Sequence, residues 1–392
     1  MKLFIKFYTK HILRFLLHLF WIFPVDKKKV YFTSFHGLRF SCNPKYLYNY
    51  LLKEFGAYYK YVWEFKTLEK SFLVPDAKSV SLLSLKSFFH ILTSSVIITN
   101  NDFQWWIPLR KSQCLLQTWH GGGAYKKVGV YEKWDSYFQK EQKLIAKQIS
   151  WYVSSSKKFT EVQSVSKFVP PEKFINTGMP RNSILFDKKK IDALKEKIHL
   201  KFNIPSSNKI VLYAPTFRGK PQYKINAESE YKVFDYKNLT KELSVKFDSD
   251  FVFFYRGHHI NSKQKINLPE YVVDVSDYED MQELLCAADV LVTDYSSTMW
   301  DFALTKKPCF LFTPDLSYYI SERGFYTEPH TWPFPLAENE QDLLQNIKKF
   351  NGEAYVQDVQ KYLDDYTSYE NLNSNQRICE IIGLVGKNGG EK

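Results

Sequence analysis

Short apolar runs alternate with helix-like runs along nearly the whole chain, and the cycle occurs twice. Residues 29–35, 60–65, 95–99, 115–119, 151–155 and 174–177 read as strands, with helix-like stretches at 44–55, 82–92 and 183–200. After the turn Ile204-Pro205-Ser206-Ser207-Asn208 the strand pattern resumes at 210–214, 251–255, 271–274, 290–293 and 309–312. Helices are expected at 278–287 and 298–304, and the tail from residue 339 is helical and polar. This alternation predicts an α/β protein built on parallel sheets with covering helices. At 392 residues the length suits two domains. We read two Rossmann-like, doubly wound halves, 26–204 and 205–392, behind a separate segment 1–25. Ligands of such sheets sit beyond the strand C-termini, so candidate residues are sought there.

The segment 1–25 carries Lys2, Lys6, Lys10 and Arg14 at four-residue spacing, among Leu3, Phe4, Phe7, Leu13, Leu16, Leu17 and Phe20. On a helix the basic residues form one drifting stripe. The apolar run falls short of the roughly 20 residues that span a bilayer, and no small-residue cleavage site follows. An amphipathic helix lying on an anionic membrane is expected, against the plainer reading of a helix packed on its own domain. The chain as a whole has 54 Lys+Arg against 42 Asp+Glu, a net +12. Such a balance points to an anionic partner; nucleic acid ranks last, because zinc-finger spacing, RNA-binding aromatic motifs and an Arg-rich tail are lacking. The five cysteines are scattered singly, which favours a reducing compartment. There is no P-loop and no ligand cluster with metal spacing, so neither a cofactor nor a catalytic metal is indicated.

Four strand ends carry residues suited to chemistry on phosphate. VLVTDYSSTMWD (290–301) empties a strand into a helix start at Ser296 and Ser297, where hydroxyls and free backbone N–H groups favour an anion; a simple helix cap is the alternative. VLYAPTFRG (211–219) presents Arg218, and FFYRGHH (253–259) presents Arg256, His258 and His259. Arginine forks suit phosphate oxygens, and histidine can donate to a bridging or leaving oxygen. QTWHGGGAYKKVG (117–129) places His120 beyond a strand, where an imidazole can take a proton from a hydroxyl. Lys126 and Lys127 follow as candidates to hold an anionic acceptor. Together these imply a diphosphate held by the C-terminal half and an acceptor activated by the N-terminal half.

These segments, in this order, resemble the CDP-glycerol glycerophosphotransferases that build teichoic acids and related capsular polymers. GMPRNSILF (178–186), the run from 272 to 312 and ERGFYTE (322–328) extend the likeness over about residues 110–330. The resemblance implies a GT-B-like pair of domains, peripheral on the cytoplasmic face of the cell membrane. It implies attack of an acceptor hydroxyl, lipid-linked or polymeric, on the β-phosphorus of CDP-glycerol with release of CMP. By position His120 is then the base, and His258 contacts the donor diphosphate. Arg256, Ser296 and Ser297 bind phosphate, with Arg218 and Arg323 beside them. Two departures stand out: Gly122-Gly123 where the family has Thr-Pro, and His258-His259 where it has His-Pro. The motifs admit CDP-ribitol equally. The competing readings are a nucleotide-sugar glycosyltransferase and a membrane-bound scaffold for an anionic polymer.

Overall fold

The computed structural model describes residues 2–132, 136–216, 234–257 and 268–385. Arg218, His258 and His259 lie outside the described residues. Contacts divide the chain into two compact units, one of Met1–Gly122, Val128–Ser183 and Ser368–Lys392, the other of Gly123–Lys127 and Ile184–Thr367.

The first unit is built on seven parallel strands, β1 (Asp26–Thr33), β2 (Lys60–Phe65), β3 (Lys78–Ser81), β4 (Ser94–Thr99), β5 (Cys114–Gln117), β6 (Trp151–Ser154) and β7 (Phe174–Asn176), in the order β3-β2-β1-β4-β5-β6-β7. The second has six, β8 (Lys209–Tyr213), β9 (Phe251–Tyr255), β10 (Val272–Asp274), β11 (Val290–Thr293), β12 (Cys309–Phe312) and β13 (Leu336–Ala337), in the order β10-β9-β8-β11-β12-β13. Both orders reverse after the third strand, so each sheet has a switch point, between β1 and β4 and between β8 and β11. Strands buried on both faces explain the near-continuous apolar runs. Val290, Leu291, Val292 and Thr293 are all buried, and Phe32 stacks on Trp63 at 5.3 Å across β1 and β2. β3 and β13 were not expected: β3 buries only Val80 and β13 has two residues, too little for a period to register.

The boundary expected at 204/205 differs from the contact units. Helix Lys188–Lys201 belongs with the second unit, where Lys195 reaches Asp289 at 2.7 Å, Lys197 reaches Glu283 at 2.8 Å and Ile198 is fully buried. The tail is split in the same way. Helices Glu340–Lys349 and Gly352–Asp365 stay with the second unit, whereas the chain from Ser368 onward packs in the first. There the Glu370 carboxylate accepts from Met179 N at 2.8 Å and Asn182 Nδ2 at 3.0 Å, and Tyr369 N donates to Ser155 O at 2.8 Å.

The amino-terminal segment is a helix, Lys2–Leu17, continued by a 3-10 turn, His18–Ile22. Lys10 and Arg14 of its basic stripe serve to dock it. Lys10 pairs with Glu141, Arg14 donates to the Trp105 and Ile107 carbonyls, and the Phe7 and His11 rings pack on Trp105 at 5.4 and 4.7 Å. Ile12, Phe15, Leu19 and Ile22 point outward with 63–79% of their surface exposed. Among the described residues no helix is long and apolar enough to cross a membrane.

Candidate active site

In the first unit the candidate base stands just past the switch point. β5 ends at Gln117 because the next residues leave the ladder: Trp119 is left-handed (φ 53°), a conformation that costs a non-glycine residue about 1 kcal/mol or more. The turn is held by its surroundings. Asn43 Nδ2 donates to the carbonyls of Thr118 (3.0 Å) and Trp119 (2.9 Å), and the buried Arg181 guanidinium donates to the His120 carbonyl at 2.8 Å. The imidazole stacks on Trp119 at 4.5 Å, and its Nδ1 lies 2.8 Å from the Asn100 carbonyl beyond β4. A carbonyl only accepts, so Nδ1 carries the proton and Nε2 keeps its lone pair. Burial, reinforced by the Arg181 and Lys167 cations and opposed by the Asn100 hydrogen bond and Asp102, pushes the His120 pKa down to about 4.

Lys167 belongs to this arrangement. Its ammonium, buried at the end of helix Lys157–Lys167, sits 4.5 Å over the Trp119 ring and 3.0 Å from Asp102. Burial opposes ionisation of Asp102, but Lys167 and the Gln142 amide outweigh it and hold the carboxyl below its usual value. Asn100, Asp102, Lys167 and Arg181 were not among the expected site residues. The polar run Asn100-Asn101-Asp102 directly after a strand was the signal for the first two; Lys167 and Arg181 come from distant segments, and only the fold brings them here.

In the second unit the β8/β11 switch point carries Asp294. This buried carboxylate accepts from Thr216 N at 2.8 Å and from Thr216 Oγ1 at 2.5 Å, tying the end of β8 to the end of β11. Two residues on, Ser296 Oγ donates to Thr298 Oγ1 (2.9 Å) and accepts from Thr298 N (3.3 Å), closing the turn. Ser297 occupies the N-cap of helix Thr298–Ala303 and makes no side-chain capping bond. Ser296 therefore shapes the turn, whereas the Ser297 side chain does not cap the helix that it precedes. Buried Met299, Trp300 and Phe302 anchor that helix. Arg256 sits past the end of β9, and its Nη1 donates to the carbonyls of Tyr278 (2.8 Å) and Val275 (3.3 Å). The guanidinium thus clamps the 275–278 turn.

Lys126 and Lys127, expected with the acceptor half, group with the second unit. Lys126 forms an antiparallel bridge with Phe325, Lys127 N donates to Gly324 O at 3.2 Å, and the Lys127 side chain lies along Gly324 next to the exposed Arg323. Gly123 permits this path, since a Cβ there would fall 2.1 Å from the Tyr125 ring. The space a side chain at 123 would take is filled by the ring of Tyr125.

The profile of one family, CDP-Glycerol:Poly(glycerophosphate) glycerophosphotransferase, matches residues 15–384. The chain belongs to this family. It is 31% identical over 380 residues to the teichoic acid glycerol-phosphate transferase of Staphylococcus aureus, covering 91% of this chain and 93% of that one. It is 30% identical to the teichoic acid poly(ribitol-phosphate) polymerase of Bacillus spizizenii, over 92% of this chain and 58% of the relative. Among solved structures, the wall teichoic acid polymerase TagF superposes with a TM-score of 0.82 at 26% identity, covering 97% of each chain. The chain is thus an α/β enzyme of the glycerophosphotransferase family with a TagF-like fold on two parallel sheets.

Proposed function

We propose that this enzyme transfers glycerol phosphate from CDP-glycerol to a hydroxyl of a membrane-linked or polymeric acceptor of the teichoic acid type, releasing CMP. The observation that carries the reading is the contact of His120 Nδ1 with the Asn100 carbonyl, which leaves the lone pair on Nε2, in a member of a glycerophosphotransferase family. In the proposed reaction Nε2 takes the proton of the acceptor hydroxyl. The oxygen attacks the β-phosphorus, a new P–O bond forms, and the bond to the bridging oxygen breaks with its electron pair leaving on CMP. Positioning and charge stabilisation carry most of such a transfer. Ser297 binds the donor diphosphate, and Ser296 and Arg256 shape the turns around it. His258 and Arg218, with roles implied by their motifs, and the basic group Lys126, Lys127 and Arg323 complete the donor side.

The arrangement is GT-B-like. The protein works as a peripheral protein on the cytoplasmic face of the membrane, its outward apolar residues Ile12, Phe15, Leu19 and Ile22 entering the interface. CDP-ribitol is the second donor to weigh, because a relative named for ribitol phosphate is nearly as similar as one named for glycerol phosphate. The test is a side-by-side assay of CMP release from CDP-glycerol and CDP-ribitol with a membrane acceptor. CDP-glycerol turnover that disappears in His120→Ala is expected; full turnover in that variant removes His120 from the mechanism, and preference for CDP-ribitol reassigns the donor.

A further inference from the structure

A second basic site lies in the first unit at the other end of the sheet from His120. A cavity of about 500 Å³ is lined by Arg14 and His11 of the amino-terminal helix and by Arg110, Lys111, Lys147 and Lys173. That volume falls within the range of small-ligand sites. Among the described residues no carboxylate lines it. The cations that are pinned are pinned by backbone carbonyls: Arg14 by Trp105 and Ile107, Arg110 by Phe20 and Phe23, Lys173 by Ile149. Carbonyl contacts orient a cation without cancelling its charge, so the positive potential of the group stays available to an anion. Arg110 Nε is buried with no hydrogen-bond partner among the described residues. Lys111 and Lys147 are exposed at the rim.

The position says which anion. The lining residues Gln113 and Ser150 immediately precede β5 and β6, whereas His120 follows β5. At about 3.3 Å per residue the strand separates the two sites by on the order of 15 Å, too far for this cavity to hold the hydroxyl that His120 deprotonates. The same helix that supplies His11 and Arg14 to the cavity turns Ile12 and Phe15 outward, and the 3-10 turn after it does so with Leu19. A ligand with a phosphate head and apolar tails matches both faces at once. We propose that this cavity binds the phosphodiester headgroup of one anionic glycerophospholipid, whose acyl chains lie along the outward face of the amino-terminal helix. The inference rests on the membrane reading given under Proposed function.

The probe is vesicles of phosphatidylcholine with and without phosphatidylglycerol, using the full chain. Native mass spectrometry of protein extracted from the mixed vesicles is expected to show one retained phosphatidylglycerol. Lys111→Ala/Lys147→Ala removes two exposed cations that make no hydrogen bond or ion pair among the described residues; it should lose the retained lipid and weaken binding to mixed vesicles at least ~10-fold more than Lys27→Ala/Lys28→Ala, a charge-matched change outside the cavity. Circular dichroism checks that both variants fold. Equal losses in the two double variants, or no retained lipid in the wild type, overturn the site. Retention of inorganic phosphate or glycerol phosphate in place of lipid assigns the cavity to a free anion and also overturns it. If the wild type binds neither vesicle, the membrane reading itself has failed. Binding to both vesicles with no lipid retained defeats the cavity alone.

Discussion

The Asn100 carbonyl fixes the His120 tautomer, and burial, reinforced by the Arg181 and Lys167 cations, sets where the ring titrates. With the imidazole held near pH 4, well below the ordinary 6.5, kcat should stay flat down through pH 6 and fall only as pH approaches about 4. A midpoint near 6.5 in the pH–rate profile would contradict that assignment. His120→Gln removes the lone pair and should cost kcat about 10²–10⁴-fold. Lys167→Met tests the positioning of the ring without touching its hydrogen bond. Removing that cation, and leaving Asp102 unneutralised beside the ring, should raise the His120 pKa and move the acid limb toward 6.5. A purely structural role for Lys167 would lower Tm and leave the pH of the limb in place. His120 was legible as a candidate because a histidine and glycines followed a strand. Its tautomer was not, because the partner is a backbone carbonyl twenty residues away with no side-chain signature.

At the scale of elements, the ends of strands are where tertiary bonds decide the local path. Asp294 ties β8 to β11 through Thr216, so Asp294→Asn exchanges a charged acceptor for an amide that cannot accept both Thr216 donors equally well. A loss of about 1–3 kcal/mol is expected from urea unfolding, with a raised KM for the CDP-alcohol, since Ser296 and Ser297 follow on the same turn. Gly129 offers a second test. It has φ +65°, and a Cβ there would stand 1.9 Å from the Ser166 carbonyl oxygen of helix Lys157–Lys167. Gly129→Ala should therefore destabilise by more than about 1 kcal/mol, read as a drop in Tm. Strands β8, β9, β11 and β12 were readable almost to the residue, because strands buried on both faces leave continuous apolar runs. Helix Tyr236–Phe247 was not anticipated. It buries only Tyr236, Leu239 and Leu243, a stripe diluted by lysines and threonine.

At the scale of the molecule, two histidines link folding to pH. His90 and His120 are both held near 4 against an ordinary 6.5, chiefly by burial. Below 6.5 the unfolded chain takes up protons that these sites refuse, so the stability they contribute is complete above 6.5 and is lost as pH falls toward 4. Chemical denaturation at pH 7.0, 5.5 and 4.5 should show a falling midpoint, shallower in His90→Phe. The double α/β architecture was legible from the alternation alone. The unit boundaries were not, because nothing in the composition of residues 368–385 or 123–127 reveals which sheet they will pack against. Ending the chain at 367 removes the Glu370 and Tyr369 bonds to Met179, Asn182 and Ser155. Hydrogen exchange should then speed up in β6 and β7 and stay slow in β8 and β11. Exchange that rises equally in all four strands would count against a tail that serves the first unit.

The same interleaving limits how such chains can be recombined. Grafting the second unit of a relative as one block, the counterpart of 184–367, would carry Gly324 and Phe325 but leave behind the partner they hold, Gly123–Lys127. A working chimera has to exchange both segments together. A change in the path of either strand at this bridge therefore has to be matched in a stretch of the gene some two hundred codons away.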